Sequence, residues 1–589
     1  MYLKTSVEVP AIQGKIIRKN KGNSIYVLFQ YGRKYIPEKR YAIPLRAVIG
    51  KLLSGQSSDR MLPNERFLEF FPETALPEER SDNARSCALK IGCYIVIRKI
   101  LEEYSLPSML AAQFGDNCGL LLDLAACLIV EEENAGQYYP DFAFCHPLFS
   151  DGMRLYSDSK VCRFLKSVTC DQIIGFLASW NRKRDHRQRI YISYDSTNKN
   201  CQAGDIDIVE FGKPKDDEGL PVFNIALAFD RTNSVPLFYE DYPGSVNDVS
   251  QFRYMVDKVM EYKYSQIGFI LDRGYFSKDT IRYMEENHFS FIIMVKGCRK
   301  LVSRLVAEHR NSFETDRDCL VRTYQLYGKT VTARLYEDDT TERYFHLFYN
   351  SSRQAAERQQ LEQLLSRFET FLDRHVGTSI ALGKTYQEFF ELRYSKDGVL
   401  LSYSEKKEAI RERLEQCGYF AIITSERMTA AQALIQYKGR DISEKLFSAD
   451  KSFLGCRSAR VQSDEALAAK IFIEFIALII RNRFYNLLKE TMLRLAEKPN
   501  CMTVPAALRE LEKIEMVRRN SGRYMLDHAV TKKQKTILSA FGMNEEDVRK
   551  SAADIGSLLE KSKSLMDNTE CENSEEDCED GTDEITVCD

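Results

Sequence analysis

Between residues 189 and 297 the sequence alternates short apolar runs of β character with amphipathic helical stretches, a rhythm that few folds accept. Arg189-Ile-Tyr-Ile-Ser-Tyr-Asp195 repeats with a period of two and ends on an acid. Val222 to Phe229 and Val235 to Tyr239 read as two more strands, joined by the turn Asp230 to Ser234. A helix is expected over Asp248 to Lys263, then a short strand from Ile267 to Leu271 that ends on Asp272. A helix from Ser277 to His288 and a strand from Phe289 to Val295 complete the series. Strands separated by helices are joined by crossovers, so the stretch predicts a mixed α/β core.

The remaining sequence divides around that core. Residues 1–88 form a basic module of β character and a candidate for nucleic-acid binding, with Tyr31, Tyr35 and Tyr41 among Arg33, Lys34, Lys39 and Arg40. Its plain alternative is a small hairpin with a solvated face. Residues 89–188 are helical, with Ile91, Val96, Ile97, Ile100 and Leu101 at helical spacing. Residues 298–416 interrupt the core, and the alternation of Leu320 to Tyr336 around Gly328-Lys329 predicts a hairpin in a largely β insertion. The core resumes over 417–490 with a strand from Gly418, a helix opened by the Thr429/Gln432 capping box, and a long apolar helix from Glu465 to Glu490. Residues 491–566 read as a helical C-terminal region, and 567–589 as a disordered acidic tail.

That tail corrects the charge. The chain has 83 Lys and Arg against 86 Asp and Glu, but eleven of the acids lie between Asp567 and Asp589. Without them 83 basic residues face 75 acidic ones, so the body is mildly basic and suited to a polyanion. Arg182, Lys183, Arg184, Arg187 and Arg189, with Arg518, Arg519, Lys532 and Lys533, are candidates for sequence-independent phosphate contact. The sixteen cysteines include no C-x-x-C pair, and the N-terminus lacks an apolar signal region. The most apolar run, Ile471 to Ile480, contains Glu474 and is too short to span a bilayer. A cytoplasmic protein is expected.

Three acids stand out by position. Asp195 and Asp272 each end an expected strand, and Glu444 lies on the helix that starts at Thr429. On that helix Tyr437, Arg440 and Glu444 fall within about 60° of arc at 100° per residue, and Lys451 joins them if the helix continues. An exposed Arg–Glu pair of this spacing is common and worth little alone. Carboxylates held together, however, need a cation between them, and hard divalent ions take oxygen ligands.

Tyr437-x2-Arg440-x3-Glu444-x6-Lys451 resembles the Y-x2-R-x3-E-x6-K signature of the IS4-type DDE transposases. Phe211-Gly-Lys-Pro-Lys215, Pro243-Gly-Ser-Val-Asn-Asp248 and Leu271-Asp-Arg-Gly-Tyr-Phe-Ser277 are similar to other motifs of the family. The resemblance covers roughly residues 89–490 and is closest to the branch around IS1634. It implies an RNase H-like core interrupted by a β-rich insertion, with helical regions on the N-terminal and C-terminal sides. It further implies Asp195, Asp272 and Glu444 as catalytic residues holding two Mg²⁺ or Mn²⁺ ions, and Tyr437, Arg440 and Lys451 on DNA phosphates. The implied substrates are double-stranded DNA, as terminal inverted repeats and target, with a homodimer in the synaptic complex. Cut-and-paste transposition is the implied activity, in a nucleoid-associated protein whose residues 1–88 would bind the DNA ends. The alternatives are a plain nuclease without strand transfer and a non-catalytic, transposase-derived DNA-binding protein.

Overall fold

The computed structural model describes residues 7–21, 24–36, 41–52, 60–71, 85–184, 189–203, 206–212, 219–246, 248–264, 266–296, 299–336, 339, 341–495, 499–519 and 523–569. The chain falls into two compact units, Met1–Ser86 and Cys87–Asp589.

The first unit is a five-stranded antiparallel sheet rather than a single hairpin. Its strands are β1 (Val7–Glu8), β2 (Ile16–Lys21), β3 (Ser24–Ile36), β4 (Tyr41–Leu52) and β5 (Arg60–Pro63), in the order β1-β5-β4-β3-β2. Helix α1 (Glu65–Phe70), capped by Asn64, closes a small core of Val7, Val27, Ile49, Met61 and Phe67.

The second unit begins with β6 (Ala88–Lys90) and the helices α2 (Gly92–Tyr104), α3 (Leu106–Phe114), α4 (Cys118–Glu131), α5 (Tyr139–Cys145), α6 (Asp158–Ser167) and α7 (Cys170–Arg182). The stretch Leu106–Glu131 is long and apolar enough to cross a membrane, yet 67% of its most apolar part is buried inside the protein. Trp180 on α7 is fully buried, and its indole N–H donates to the Pro236 carbonyl at 2.9 Å.

The expected α/β rhythm follows: β7 (Ile190–Asn200), β8 (Val222–Asp230), β9 (Val235–Pro243), α8 (Asp248–Glu261), β10 (Ile267–Leu271), α9 (Lys278–Glu286) and β11 (Ser290–Met294). Strands β7, β8 and β9 form an antiparallel meander, while β10 lies parallel to β7, and β11 parallel to β10. Strand β7 does not end at Asp195. Its polar half, Ser196 to Asn200, stays paired with β8 through Asn200↔Val222 and is buried. Alternation of apolar residues cannot reveal such a half, because its side chains find polar partners instead of an oily face.

Residues 298–416 also depart from the expected separate β insertion. After α10 (Arg299–His309), the strands β12 (Leu320–Val321), β13 (Leu326–Arg334) and β14 (Glu342–Tyr349) enlarge the central sheet itself. The rest is mostly helical: α11 (Ser351–His375), α12 (Lys384–Phe389), the hairpin β15 (Phe390–Tyr394) and β16 (Leu400–Glu405), and α13 (Lys407–Glu415). Strand β13 runs straight through Gly328-Lys329, so no turn forms there. Gly328 serves packing instead, since a Cβ would stand 2.8 Å from the Phe348 ring and 3.0 Å from Ala430.

Strand β17 (Tyr419–Thr424) then pairs with both β11 and β14, giving a nine-stranded sheet of order β12-β13-β14-β17-β11-β10-β7-β8-β9. It is followed by α14 (Ala430–Lys438), α15 (Asp441–Phe453) and α16 (Asp464–Arg494). The one helix expected from Thr429 through Glu444 is therefore two. The chain turns at Gly439-Arg440, where a Cβ on Gly439 would meet the Arg231 guanidinium at 2.0 Å. Helix α16 is buried on all sides over most of Ala466 to Asn482 and packs against α2, α4, α6 and β9.

The C-terminal region is α17 (Val504–Leu511), β18 (Glu515–Arg518), β19 (Tyr524–Leu526), α18 (Lys532–Ala540) and α19 (Glu545–Thr569). It is not wholly helical, because β18 pairs with β19 and with β6 in a three-stranded sheet. Asp567 to Thr569 of the expected acidic tail end α19, and residues 570–589 lie outside the described residues.

Gly328→Val should overpack the contact between β13, Phe348 and α14, and cost about 1–3 kcal/mol. A lowered denaturation midpoint with an unchanged denaturant slope is the expected measurement; an unshifted midpoint would show that the helix gives way freely.

Candidate active site

Parallel pairing of β7 with β10 sets the first two acids side by side. Tyr194 stands opposite Leu271 in the register, so the residues that follow, Asp195 and Asp272, are neighbours across the strands. Asp272 ends β10 as expected, whereas Asp195 lies within β7, opposite Leu227 of β8. The Asp195 side chain is 15% exposed and that of Asp272 36%.

Arg440, at the turn between α14 and α15, bridges the two carboxylates. Its Nη1 lies 3.3 Å from Asp195 Oδ2 and its Nη2 3.8 Å from Asp272 Oδ1. The guanidinium offsets the repulsion that two neighbouring carboxylates would otherwise exert. Tyr437, on the last turn of α14, donates its hydroxyl to Asp272 Oδ1 at 3.3 Å. Burial, reinforced by the Asp272 charge, pushes the Tyr437 phenol up and keeps it protonated, although Arg440 opposes this.

The acids open onto a cleft of about 670 Å³. Helix α15 supplies Phe447, Ser448, Lys451 and Ser452 to its wall, and Ser196, Thr197 and Arg457 add further hydroxyl and cationic groups. Glu444 lies in the first part of α15, four residues before Ser448 and seven before Lys451; its side chain lies outside the described residues. Ser196, Thr197 and Arg457 carry no recognisable motif. Only the distance of a few residues from Asp195 or Lys451 could have drawn attention to them.

A second acidic group sits behind the cleft. Lys199, on the same strand as Asp195, places Nζ 2.7 Å from Glu474 Oε2 of α16 and against Asp450 Oδ2 of α15. Asp450, Cys456 and Glu474 offer ligand atoms within 4.8 Å of one another, all buried. The Lys199 ammonium already stands among them and supplies the positive charge, so the cluster reads as an ionic lock. Burial lowers the tendency of Lys199 to hold its proton, but Asp450 and Glu474 outweigh it and the net direction is upward. Burial raises the Asp450 carboxyl to about 6, against the pull of Lys199. Its Oδ1 has no hydrogen-bond partner among the described residues. Lys199 and Asp450 were not legible in the sequence, since each looks like a surface charge, and Glu474 drew notice only as the acid inside an apolar run.

The candidate phosphate contacts are not one patch. Arg182 and Lys183 are exposed at the end of α7. Arg184 instead covers the Trp180 ring at 4.0 Å, where burial lowers its pKa. Arg189 pairs with Glu426 at 2.6 Å, and Arg187 lies outside the described residues. Arg518 ends β18 and Arg519 follows it, and Lys532 and Lys533 are exposed on the first turn of α18.

Residues 192–480, just under half of the chain, match the family described as Transposase DDE domain. The match contains Asp195, Asp272, Tyr437, Arg440, Glu444, Lys451 and the Lys199 lock. No curated protein matches the chain. Among solved structures, the piggyBac transposase synaptic complex with hairpin DNA, determined by cryo-EM, is similar at a TM-score of 0.33 and 10% identity. That likeness covers 81% of this chain and 82% of the other.

Replacing Lys199 with Met should strand two buried carboxylates and cost about 3–5 kcal/mol in chemical denaturation. Asp450 gives the pH test. Its folded pKa lies above its unfolded one, so between about 4 and 6 the folded state holds a proton that the unfolded state has released. Its contribution therefore falls as pH rises through that window. Asp450→Asn should flatten this part of the stability profile relative to wild type, and an unchanged difference between pH 4 and pH 6 would refute the assignment.

Proposed function

We propose that the chain is a DNA transposase of the DDE type. The observation that carries this reading is the pair Asp195 and Asp272 on neighbouring parallel strands, above a cationic cleft walled by the helix of Glu444 and inside the matched segment. The order β9-β8-β7-β10-β11, three antiparallel strands followed by two parallel to the first, supports an RNase H-like core. The Tyr437, Arg440, Glu444 and Lys451 spacing supports IS4-type descent near IS1634, as an insertion-sequence enzyme acting at terminal inverted repeats and target DNA.

The donors fit hard divalent cations, Mg²⁺ or Mn²⁺. The carboxylates of Asp195 and Asp272 are oxygen donors with no thiol or imidazole beside them among the residues lining the cleft. Glu444 would complete the set. Two bound cations would activate an attacking hydroxyl and stabilise the leaving oxygen of a phosphodiester.

The protein's own residues do the rest. Arg440, held between the acids, keeps them aligned and presents a planar fork suited to phosphate oxygens. Lys451 and Arg457 give the cleft the positive charge that a DNA backbone requires. Tyr437 fixes Asp272 by a neutral hydroxyl and adds no negative charge to the acids. Water adds to phosphorus at the element end and the 3′ oxygen leaves. That 3′-hydroxyl then attacks a target phosphodiester, joining one strand and freeing another. Two protomers across paired DNA ends would couple the two reactions, and the unit of residues 1–86 would bind the ends.

Asp195→Asn, Asp272→Asn and Glu444→Gln should each abolish Mg²⁺-dependent cleavage of end-containing DNA while leaving its binding near wild type. Retained cleavage in any of them would remove that residue from the active site. Joined products from pre-cleaved ends and a plasmid target separate a transposase from a simple nuclease.

A further inference from the structure

In the N-terminal unit, β3 and β4 are much longer than the strands beside them. Strand β2 pairs only with Ser24 to Phe29 of β3, and β5 only with Gly50 to Leu52 of β4. Beyond those points β3 and β4 continue together, with Gln30↔Arg46, Arg33↔Pro44 and Tyr35↔Ala42 in register. Over Gly32–Ile36 and Tyr41–Leu45 no third strand accompanies them among the described residues. The result is a two-stranded ribbon roughly 16 Å long at about 3.3 Å per residue.

Its chemistry is one-sided. Gln30 to Ile36 and Tyr41 to Arg46 contain Arg33, Lys34 and Arg46 and no acid. Residues paired directly across a ladder share a face, so Arg33, Tyr35, Ala42, Pro44 and Arg46 lie on one side and Lys34, Ile43 and Leu45 on the other. Tyr35 is 61% exposed, and Arg33 and Arg46 are exposed as well. At the root of the ribbon, a shift of register between Gln30 and Gly32 adds twist, and Tyr31 stacks on Phe70 of α1 at 5.2 Å. Pro44 lacks an N–H and occurs in strands where an edge is left unpaired, which guards the ribbon against recruiting another strand.

We propose that this ribbon enters a groove of duplex DNA with the Arg33, Tyr35 and Arg46 face toward the nucleic acid. The major groove, about 12 Å wide, admits a two-stranded β-ribbon. Basic side chains at its root and midpoint would meet phosphates at the groove wall, while Tyr35 reaches inward. The proposal rests on reading the chain as a DNA-acting enzyme and names the part that grips the duplex.

The test uses the full chain and a short mixed-sequence duplex, with fluorescence anisotropy followed across a salt series. The double variant Arg33→Ala/Arg46→Ala should bind roughly tenfold or more weakly at low salt, and its slope of log K against log salt should fall by about 2. Lys34→Ala, on the opposite face, should change binding far less. Wild-type affinity and slope in the double variant would overturn the proposal, and so would a loss for Lys34→Ala as large as for the double variant. Duplex RNA of the same sequence should compete poorly, because the deep, narrow major groove of A-form RNA excludes such a ribbon. Equal competition would overturn groove entry. Cleavage by wild-type protein separates the two readings: variants that bind normally beside an active wild type refute only the ribbon, whereas a wild type that neither binds nor cleaves DNA refutes both.

Discussion

The Lys199 lock is the interaction on which the geometry of the cleft depends. It joins β7, which carries Asp195, to α15, which carries Glu444, and ties both to the central helix α16 through Glu474. Charges removed from water this completely cost several kcal/mol each, and mutual attraction repays the cost only when the partners are placed closely. A lock of this type is a poor source of net stability but a good source of register. Sliding α15 along β7 by one residue would separate the ammonium from Asp450 and leave both buried and unpaired.

Arg440 has the corresponding role on the open side of the same helix. The turn at Gly439-Arg440 ends α14 and begins α15, which lets the guanidinium reach back to two strands while the next residues continue along the cleft. An unbroken helix would carry Arg440 and Lys451 on one straight face. The bend instead divides the signature: Tyr437 and Arg440 hold the acids, and Lys451 lines the cleft beyond them.

Much of this was legible in the sequence because it rests on local patterns. The apolar runs of β8, β10 and β11 mark buried strands, and the Thr429/Gln432 capping box forms as expected. What was not legible depends on contacts made across the fold. The second half of β7 is polar and buried because Lys199 meets acids more than two hundred residues away. Gly328 looks like a turn residue, but the approach of Phe348 and Ala430 decides its place. Arg184 and Arg189 look like a basic run until Trp180 and Glu426 engage them. A charged side chain in a sequence shows its valence, whereas its availability is a property of the fold.

The long helix α16 has a consequence for how the protein is made. Its faces are covered by α2, α4 and α6, synthesised several hundred residues earlier, and β6 waits for β18 to complete its sheet. Contacts of such sequence separation form late and slowly. During synthesis the helical layer of residues 89–182 must leave the ribosome with its apolar surface open, a state prone to association and to chaperone capture. The cleft is completed late, since α15 packs against β7, already made, and against α16, which follows it. Each nascent molecule therefore lacks the Glu474 arm of the Lys199 lock until most of its length has been translated.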